Sequence, residues 1–312
     1  MKNKIYSSTI VVVLFCTLVS VGSTSTTNAE AVVHQSQRTW SSARDVDPNA
    51  PSSAHAYDIV MNHGEAQAIY GRVRADVANY WELYQSTSND NGQTFGSPSP
   101  RGCGNSAASS VPKVAESADG YVYVVWQAYE CPSNSPRSLF INVRSPQGIW
   151  SGSHKITTYV TNGWSVAVGS DGVVHVSYSR YWEVNFDPPQ PPAILDTQVQ
   201  YVNSYNHEST FSIPTSITDR DTNKSTYIDW TSIAADTAGH PHIVFEQGAN
   251  QYNFRVLARD FTTSWQSVVV VYDVPKALYP DAAANYQGGV GTVWQTQLPL
   301  QLRFRFLLGN WL

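Results

Sequence analysis

The stretch G-Y-V-Y-V-V-W, Gly120 to Trp126, joins a turn glycine to a short apolar strand that ends in an aromatic. The same unit recurs as G-E-A-Q-A-I-Y (Gly64–Tyr70), G-V-V-H-V-S-Y (Gly172–Tyr178) and G-H-P-H-I-V-F (Gly239–Phe245). A weaker fifth copy, G-G-V-G-T-V-W, runs from Gly288 to Trp294. Self-similarity at this period, built from short strands, is the signature of a β-propeller in which each unit is one small sheet. The chain is therefore expected to be all-β, a propeller of four-stranded blades with five units visible. It is either five-bladed or a truncated six-bladed ring.

A second repeat keeps step with the first. Ser88 to Phe95 reads S-N-D-N-G-Q-T-F, and Ser204 to Phe211 reads S-Y-N-H-E-S-T-F. A shortened form, S-P-Q-G-I-W, lies at Ser145–Trp150, and a third trace is the turn from Ala258 to Trp265. An Asp or Asn in such a turn bonds nearby backbone, a glycine takes a conformation closed to other residues, and the closing aromatic packs between sheets. These segments resemble the Asp-box of sialidase-like β-propellers, S-x-D-x-G-x-T-W, with Phe95 in place of Trp. The resemblance implies structural roles for Ser88, Asp90, Gly92, Thr94 and Phe95. It implies the same for Ser204, Asn206, Thr210 and Phe211, where the glycine is missing.

Active members of that family carry an arginine triad, a Tyr–Glu nucleophile pair and an Asp acid/base, with an F/Y-R-I-P motif near the start of the domain. That motif is absent; the nearest match, Y-G-R-V-R at Tyr70–Arg74, follows the strand instead of preceding the first box. Arg101, Arg137, Arg180 and Arg220 could bind an acidic sugar bidentately, but none sits in an alignable motif. The resemblance thus implies the fold and the box residues and leaves the catalytic set unplaced.

The N-terminus has the form of an export signal. Lys2 and Lys4 precede an apolar run from Ile10 to Val21, followed by a small-residue site at Ala29-Glu30-Ala31. A membrane span needs about twenty apolar residues, and this run is shorter. Residues 1–31 are expected to be a cleaved signal peptide and residues 32–312 the propeller, secreted or extracytoplasmic, with no membrane span in the mature chain. Cys103 and Cys131 are then the only mature cysteines, and an oxidising compartment favours a disulfide between them. The net charge of -5, with no basic run, argues against nucleic acid as a partner. Nothing in the sequence speaks to oligomeric state.

In the second unit, the first strand maps to Pro112–Glu116, the second to Tyr121–Gln127 and the third to Ser138–Arg144, with the fourth beginning near Ile149. A small pair precedes each turn at Val114-Ala115, Val166-Ala167 and Ile233-Ala234, as suits an inner strand crowded near an axis. The glycine turns and boxes then share one face. The long connections share the other: Ser97–Val111, Tyr129–Arg137, Thr157–Trp164, Arg180–Asp196 and Ile213–Trp230. In the fifth unit a third strand is expected at Gln301–Leu308.

The long connections carry aromatics beside carboxylates, the combination that sugar rings need. Trp182 and Trp230 are the expected anchors, with Glu183 and Asp229 as polar partners and Tyr181, Trp164 and Arg180 nearby. Metal signals are weak. His240 and His242 share a strand face, where a structural role is favoured over ligation. Asp219-Arg-Asp221-Thr-Asn223 begins like a calcium loop but has Lys224 where glycine is wanted and Trp230 where a bidentate Glu should close it. No cofactor is expected. The expected function is binding of glycans or another extracellular partner through the long-loop face, leaning away from enzyme. A sialidase-like glycoside hydrolase or lyase on the same scaffold is the alternative, and a non-catalytic scaffold the third reading.

Overall fold

The computed structural model describes residues 46, 55–62, 65–73, 81–101, 112–129, 137–182, 196–207, 209–219, 228, 230–248, 254–273, 277–285, 289–297 and 300–307. The first sheet comprises β1 (His55–Asn62), β2 (Glu65–Val73), β3 (Trp81–Ser88) and β4 (Ser99–Pro100). The second comprises β5 (Lys113–Glu116), β6 (Val122–Tyr129), β7 (Arg137–Arg144) and β8 (His154–Thr158). The third comprises β9 (Val160–Val168), β10 (Val174–Trp182), β11 (Asp196–Ser204) and β12 (Thr215–Ser216). The fourth comprises β13 (Thr231–Ala235), β14 (Pro241–Gly248), β15 (Phe254–Asp260) and β16 (Val269–Tyr272). The fifth has three strands among the described residues, β17 (Ala277–Ala284), β18 (Val290–Gln297) and β19 (Leu300–Leu307). Every pairing is antiparallel between strands consecutive in sequence, and the described residues contain no helix.

The repeat glycine starts each unit for a conformational reason. Gly120, Gly172 and Gly239 have φ of 87°, 79° and 82°, a region that a side chain makes costly. Each donates its N–H back three residues, at 2.9 Å for Gly120 to Ser117 O and 3.0 Å for the other two. The strand that follows is buried on both faces, so it reads as an apolar run and not as an alternation. Val122, Val124 and Trp126 pack on Ile69 and Leu83 of the first sheet. Tyr123 and Val125 face the other way, onto Val166, Val174 and Val176 of the third. Further clusters join the third sheet to the fourth through Tyr201, Ile243 and Phe245, and the fourth to the fifth through Val244, Val256 and Trp294.

The first strand of each sheet is an edge strand, whose outer N–H and C=O groups must find partners elsewhere. Side chains of the preceding sheet supply several of them. Asp58 Oδ2 accepts the Val114 N–H at 2.9 Å, Gln127 Nε2 donates to Val160 O at 2.6 Å, and Glu246 Oε2 accepts the Tyr279 N–H at 3.0 Å. Ser232 Oγ accepts the Ala282 N–H at 3.1 Å. Polar residues buried at these positions are thus sutures between sheets.

The box turn from Ser88 is tied internally. Asp90 Oδ1 accepts the N–H groups of Gln93 and Thr94 at 2.9 and 2.8 Å, and Thr94 Oγ1 donates to Asp90 Oδ2 at 2.6 Å. Hydrogen bonds from Ser88 and Thr94 hold the exposed Asp90 carboxyl well below the usual carboxylate range. At the second box Asn206 Oδ1 accepts the Thr210 N–H at 3.1 Å. His207 there has φ 64°, matching Asn91 at 59°. Its ring stacks on Tyr121 with centroids 3.9 Å apart, and its Nδ1 meets Tyr123 OH at 2.6 Å. Trp265 meets Tyr201 of the preceding sheet edge-on, with centroids 5.0 Å apart. These turns dock on the preceding sheet.

Two boundaries differ from the sequence expectation. The fourth strand of the second sheet starts at His154, not near Ile149, because Ile149 and Trp150 close a turn in which Ser145 N bonds Ile149 O at 2.8 Å. Thr157–Trp164 is not a long loop: β8 and β9 run through it, broken only at Tyr159, whose φ is 62°.

Candidate functional site

Register aligns one residue on each first strand. The partner of the fifth residue after the repeat glycine is Asp58 (opposite Ile69), Lys113 (Val125), Ser165 (Ser177), Ser232 (Val244) and Asp281 (Val293). Consecutive first strands lie side by side, so these five equivalent positions form a polar belt along the inner strands. Lys113 is close enough to Asp58 to stabilise its charge, and Asp281 close enough to oppose it. Burial is the largest influence on Asp58. Together with Asp281 it outweighs Lys113 and the N–H groups of Val114 and Ile59, so its pKa is raised. Ser232 Oγ donates to Asp281 Oδ1 at 2.6 Å, and Asp281 itself is exposed.

Beyond the belt, at the end of the strands remote from the glycine turns, two aromatic pairs stand on the expected long-loop face. Trp230 leads into β13, and its ring meets Tyr279 of β17 edge-on, 5.2 Å apart at 80°. Glu246, 2% exposed, ties them together: its N–H donates to Trp230 O at 3.1 Å, and its carboxylate accepts the Tyr279 N–H. Tyr279 is 52% exposed and held at φ 54°, a conformation uncommon for a bulky residue. It lies two residues from Asp281. The second pair, Tyr159 and Tyr181, meets edge-on at 5.8 Å and 87°, with Tyr181 N bonded to Tyr159 O at 2.9 Å. Left-handed tyrosines at two such positions mark local strain of the kind that clusters at functional sites.

The expected site residues divide accordingly. Trp230 joins the exposed Tyr279, and Tyr181 joins Tyr159. Trp164 is 4% exposed and belongs to the core between the second and third sheets, so its ring offers no platform for a ligand. The reason is register: Trp164 lies opposite Tyr178 within the sheet, not on a loop. Arg180 sits in β10 near the Tyr159 pair, opposite Val160. The side chain of Trp182, and all of Glu183, Asp229, Cys103 and Cys131, lie outside the described residues.

Asp219 is exposed, Asp221 and Asn223 lie outside the described residues, and no group of three His, Cys, Asp or Glu among the described residues could hold a metal. His242 is engaged on both ring nitrogens, Nδ1 with Asp260 Oδ1 at 2.7 Å and Nε2 with Asp236 Oδ2 at 3.3 Å. Burial alone would lower its pKa, but the two carboxylates outweigh burial and raise it. That is a structural histidine.

Asp58, Lys113 and Asp281 were not among the residues singled out from sequence, where attention went to the loops. A signal was present. Lys113, Ser165 and Ser232 each immediately precede the small pair before the turn, and Asp281 precedes Ala282-Ala283 in the same way.

No protein-family model and no curated protein sequence matches the chain. Solved structures do. A protein of unknown function from Dyadobacter fermentans superposes with a TM-score of 0.56 at 12% identity, over 81% of this chain and 78% of that one. The Penicillium chrysogenum α-L-arabinanase complexed with arabinobiose gives 0.53 at 13% identity, over 82% and 80%. The Trypanosoma rangeli sialidase gives 0.50 at 13% identity, over 81% of this chain and 46% of that one, so the chain spans about half its length. At such identities the likeness is one of fold. This chain shares the β-propeller fold of these structures.

Proposed function

We propose that the protein is an exported, glycan-binding propeller whose ligand lies over the inner strands on the long-loop face. The observation that carries this reading is the pairing of half-buried Trp230 with exposed Tyr279, which lies two residues along β17 from the exposed Asp281 carboxyl. A sugar presents apolar CH faces to aromatic rings and hydroxyls to nearby acids, so an aromatic ledge beside a carboxyl suits it. The arabinanase with bound arabinobiose and the sialidase show this type of fold in carbohydrate-acting proteins. The five equivalent inner positions support five blades. Export by residues 1–31 and a Cys103–Cys131 disulfide belong to the same proposal.

Glycan-array screening of the mature protein, followed by titration of the best binder, tests the reading. Trp230→Ala and Tyr279→Ala are each expected to weaken binding at least about tenfold, the loss of one aromatic stacking partner. Trp182→Ala tests the neighbouring loop in the same assay. Unchanged affinity in the first two variants with loss in the third would move the ligand onto the 180–196 connection. No binding to any glycan would favour a non-catalytic scaffold.

A further inference from the structure

In the first four sheets a short fourth strand covers the third: β4 pairs with β3, β8 with β7, β12 with β11 and β16 with β15. Of the described residues in those third strands only Arg255 is exposed. The third strand of the fifth sheet, β19, is the reverse. Every residue from Gln301 to Arg305 is exposed, with Leu302 at 54% and Phe304 at 48%, and among the described residues no strand pairs with its outer edge. An open edge carrying large apolar side chains is a template for a further strand.

The two faces of this edge differ in chemistry. Arg303 lies opposite Trp294, and Arg305 Nη1 donates to Val271 O at 2.9 Å, so both arginines are on the face turned to the fourth sheet. Leu302 lies opposite Gln295, and Phe304 opposite Val293, on the other face. The one carboxylate of β17, β18 and β19 is Asp281, which also lies opposite Val293 and so cannot match the arginines.

Charge selects the occupant. Residues directly opposite on paired strands share a face, where unlike charges attract and like charges repel. A second copy of β19, placed antiparallel with Leu302 opposite Phe304, sets Arg303 against Arg303. The chain from Ala31 to Arg44 holds Arg38 and Arg44 and no carboxylate, so that segment offers no match either. A strand in which acidic and apolar residues alternate satisfies both faces at once. We propose that the outer edge of β19 takes up, by strand addition, an extended segment of a partner protein with this alternation. Its acids lie opposite Arg303 and Arg305 and its apolar residues opposite Leu302 and Phe304. Backbone hydrogen bonds supply affinity, and the alternating side chains supply choice. The proposal does not rest on the glycan-binding reading.

The experiment titrates the mature protein into a fluorescein-labelled, end-blocked peptide of alternating Glu and Val, read by anisotropy, and measures hydrogen exchange in β19 with and without peptide. The expected result is saturable binding with slowed exchange in β19. The matching Lys–Val peptide should not bind. Nor should the Glu–Val peptide with a central proline, which removes a backbone donor. Arg303→Glu should weaken the Glu–Val peptide by about tenfold, as attraction across the pair becomes repulsion, and should gain the Lys–Val peptide. The variant should melt with wild type because Arg303 is exposed, and a gained ligand cannot come from misfolding. Arginines that only guard the edge against pairing would leave both peptides unbound, and that result overturns the proposal. So does Glu–Val binding that Arg303→Glu leaves unchanged, or that leaves exchange in β19 unaltered. A mature protein that is already a dimer, protected in β19 and closed to the peptide, overturns it in favour of a second copy.

Discussion

Replacing Trp126 by Ala is expected to destabilise the protein by about 3–5 kcal/mol, the range for deleting a large aromatic from a packed core. Trp126 is 1% exposed, stacks on Phe140 with centroids 5.9 Å apart, and sits in the cluster that joins the first two sheets. The indole fills space between two separate sheets, so the cavity left behind can close only if one sheet moves against the other. The equivalent repeat positions carry Tyr70, Tyr178, Phe245 and Trp294, all buried. A large aromatic there is thus a general requirement of sheet-on-sheet packing. Urea denaturation measures the change. A loss below about 1 kcal/mol would mean that the second repeat unit does not pack on the first as described. Trp126→Phe keeps most of the volume and should recover much of the loss.

A second large effect is expected on acidification. His175 is buried, with Nδ1 bonded to Tyr201 OH at 2.7 Å, and burial lowers its pKa from the ordinary 6.5 to about 4 despite nearby Asp171 and Asp236. The native state therefore binds fewer protons than the unfolded state between these values. Stability falls as pH drops from about 6.5 to about 4, by about 3 kcal/mol in all from this one group, and the effect is complete below that range. His242 works in the opposite sense. Its raised pKa contributes stability that is fully present below about 6.5 and is lost as pH rises through the folded value. His175→Gln, which places at this position the residue the first unit carries at Gln67, removes the first dependence and keeps the second. Urea unfolding of the two proteins across this pH range should show wild type gaining about 3 kcal/mol of unfolding free energy relative to the variant as pH rises. Parallel profiles would show that His175 titrates normally and is not buried neutral.

The fold was legible because the repeat is written in local chemistry. A glycine that must take positive φ, an apolar run buried on both faces and a closing aromatic are each readable without knowing the neighbours, as Gly120, Val122–Val125 and Trp126 illustrate. The box turn at Ser88–Phe95 was equally legible, since its hydrogen bonds span only a few residues. The site was not, for two reasons. Aromatic residues look alike in sequence whether they pack or protrude: Trp164 proved to be core and Tyr279 surface, and only register and the break at Tyr279 distinguish them. The belt residues are far apart in sequence, and Asp58 and Lys113 become equivalents only once their pairing with Ile69 and Val125 is known. A one-residue difference in the first turn hides that equivalence from a count along the chain.

The central claim is that ligand recognition takes place over the inner strands beside Trp230, Tyr279 and Asp281. An experimental structure of the mature protein with a linear arabino-oligosaccharide, or with the best binder from the array, tests it most directly. The account predicts a sugar ring stacked against Trp230 or Tyr279 with a hydroxyl within hydrogen-bond distance of Asp281. A ligand seated on the face of the glycine turns, near Asp119 or Asp236, would contradict it.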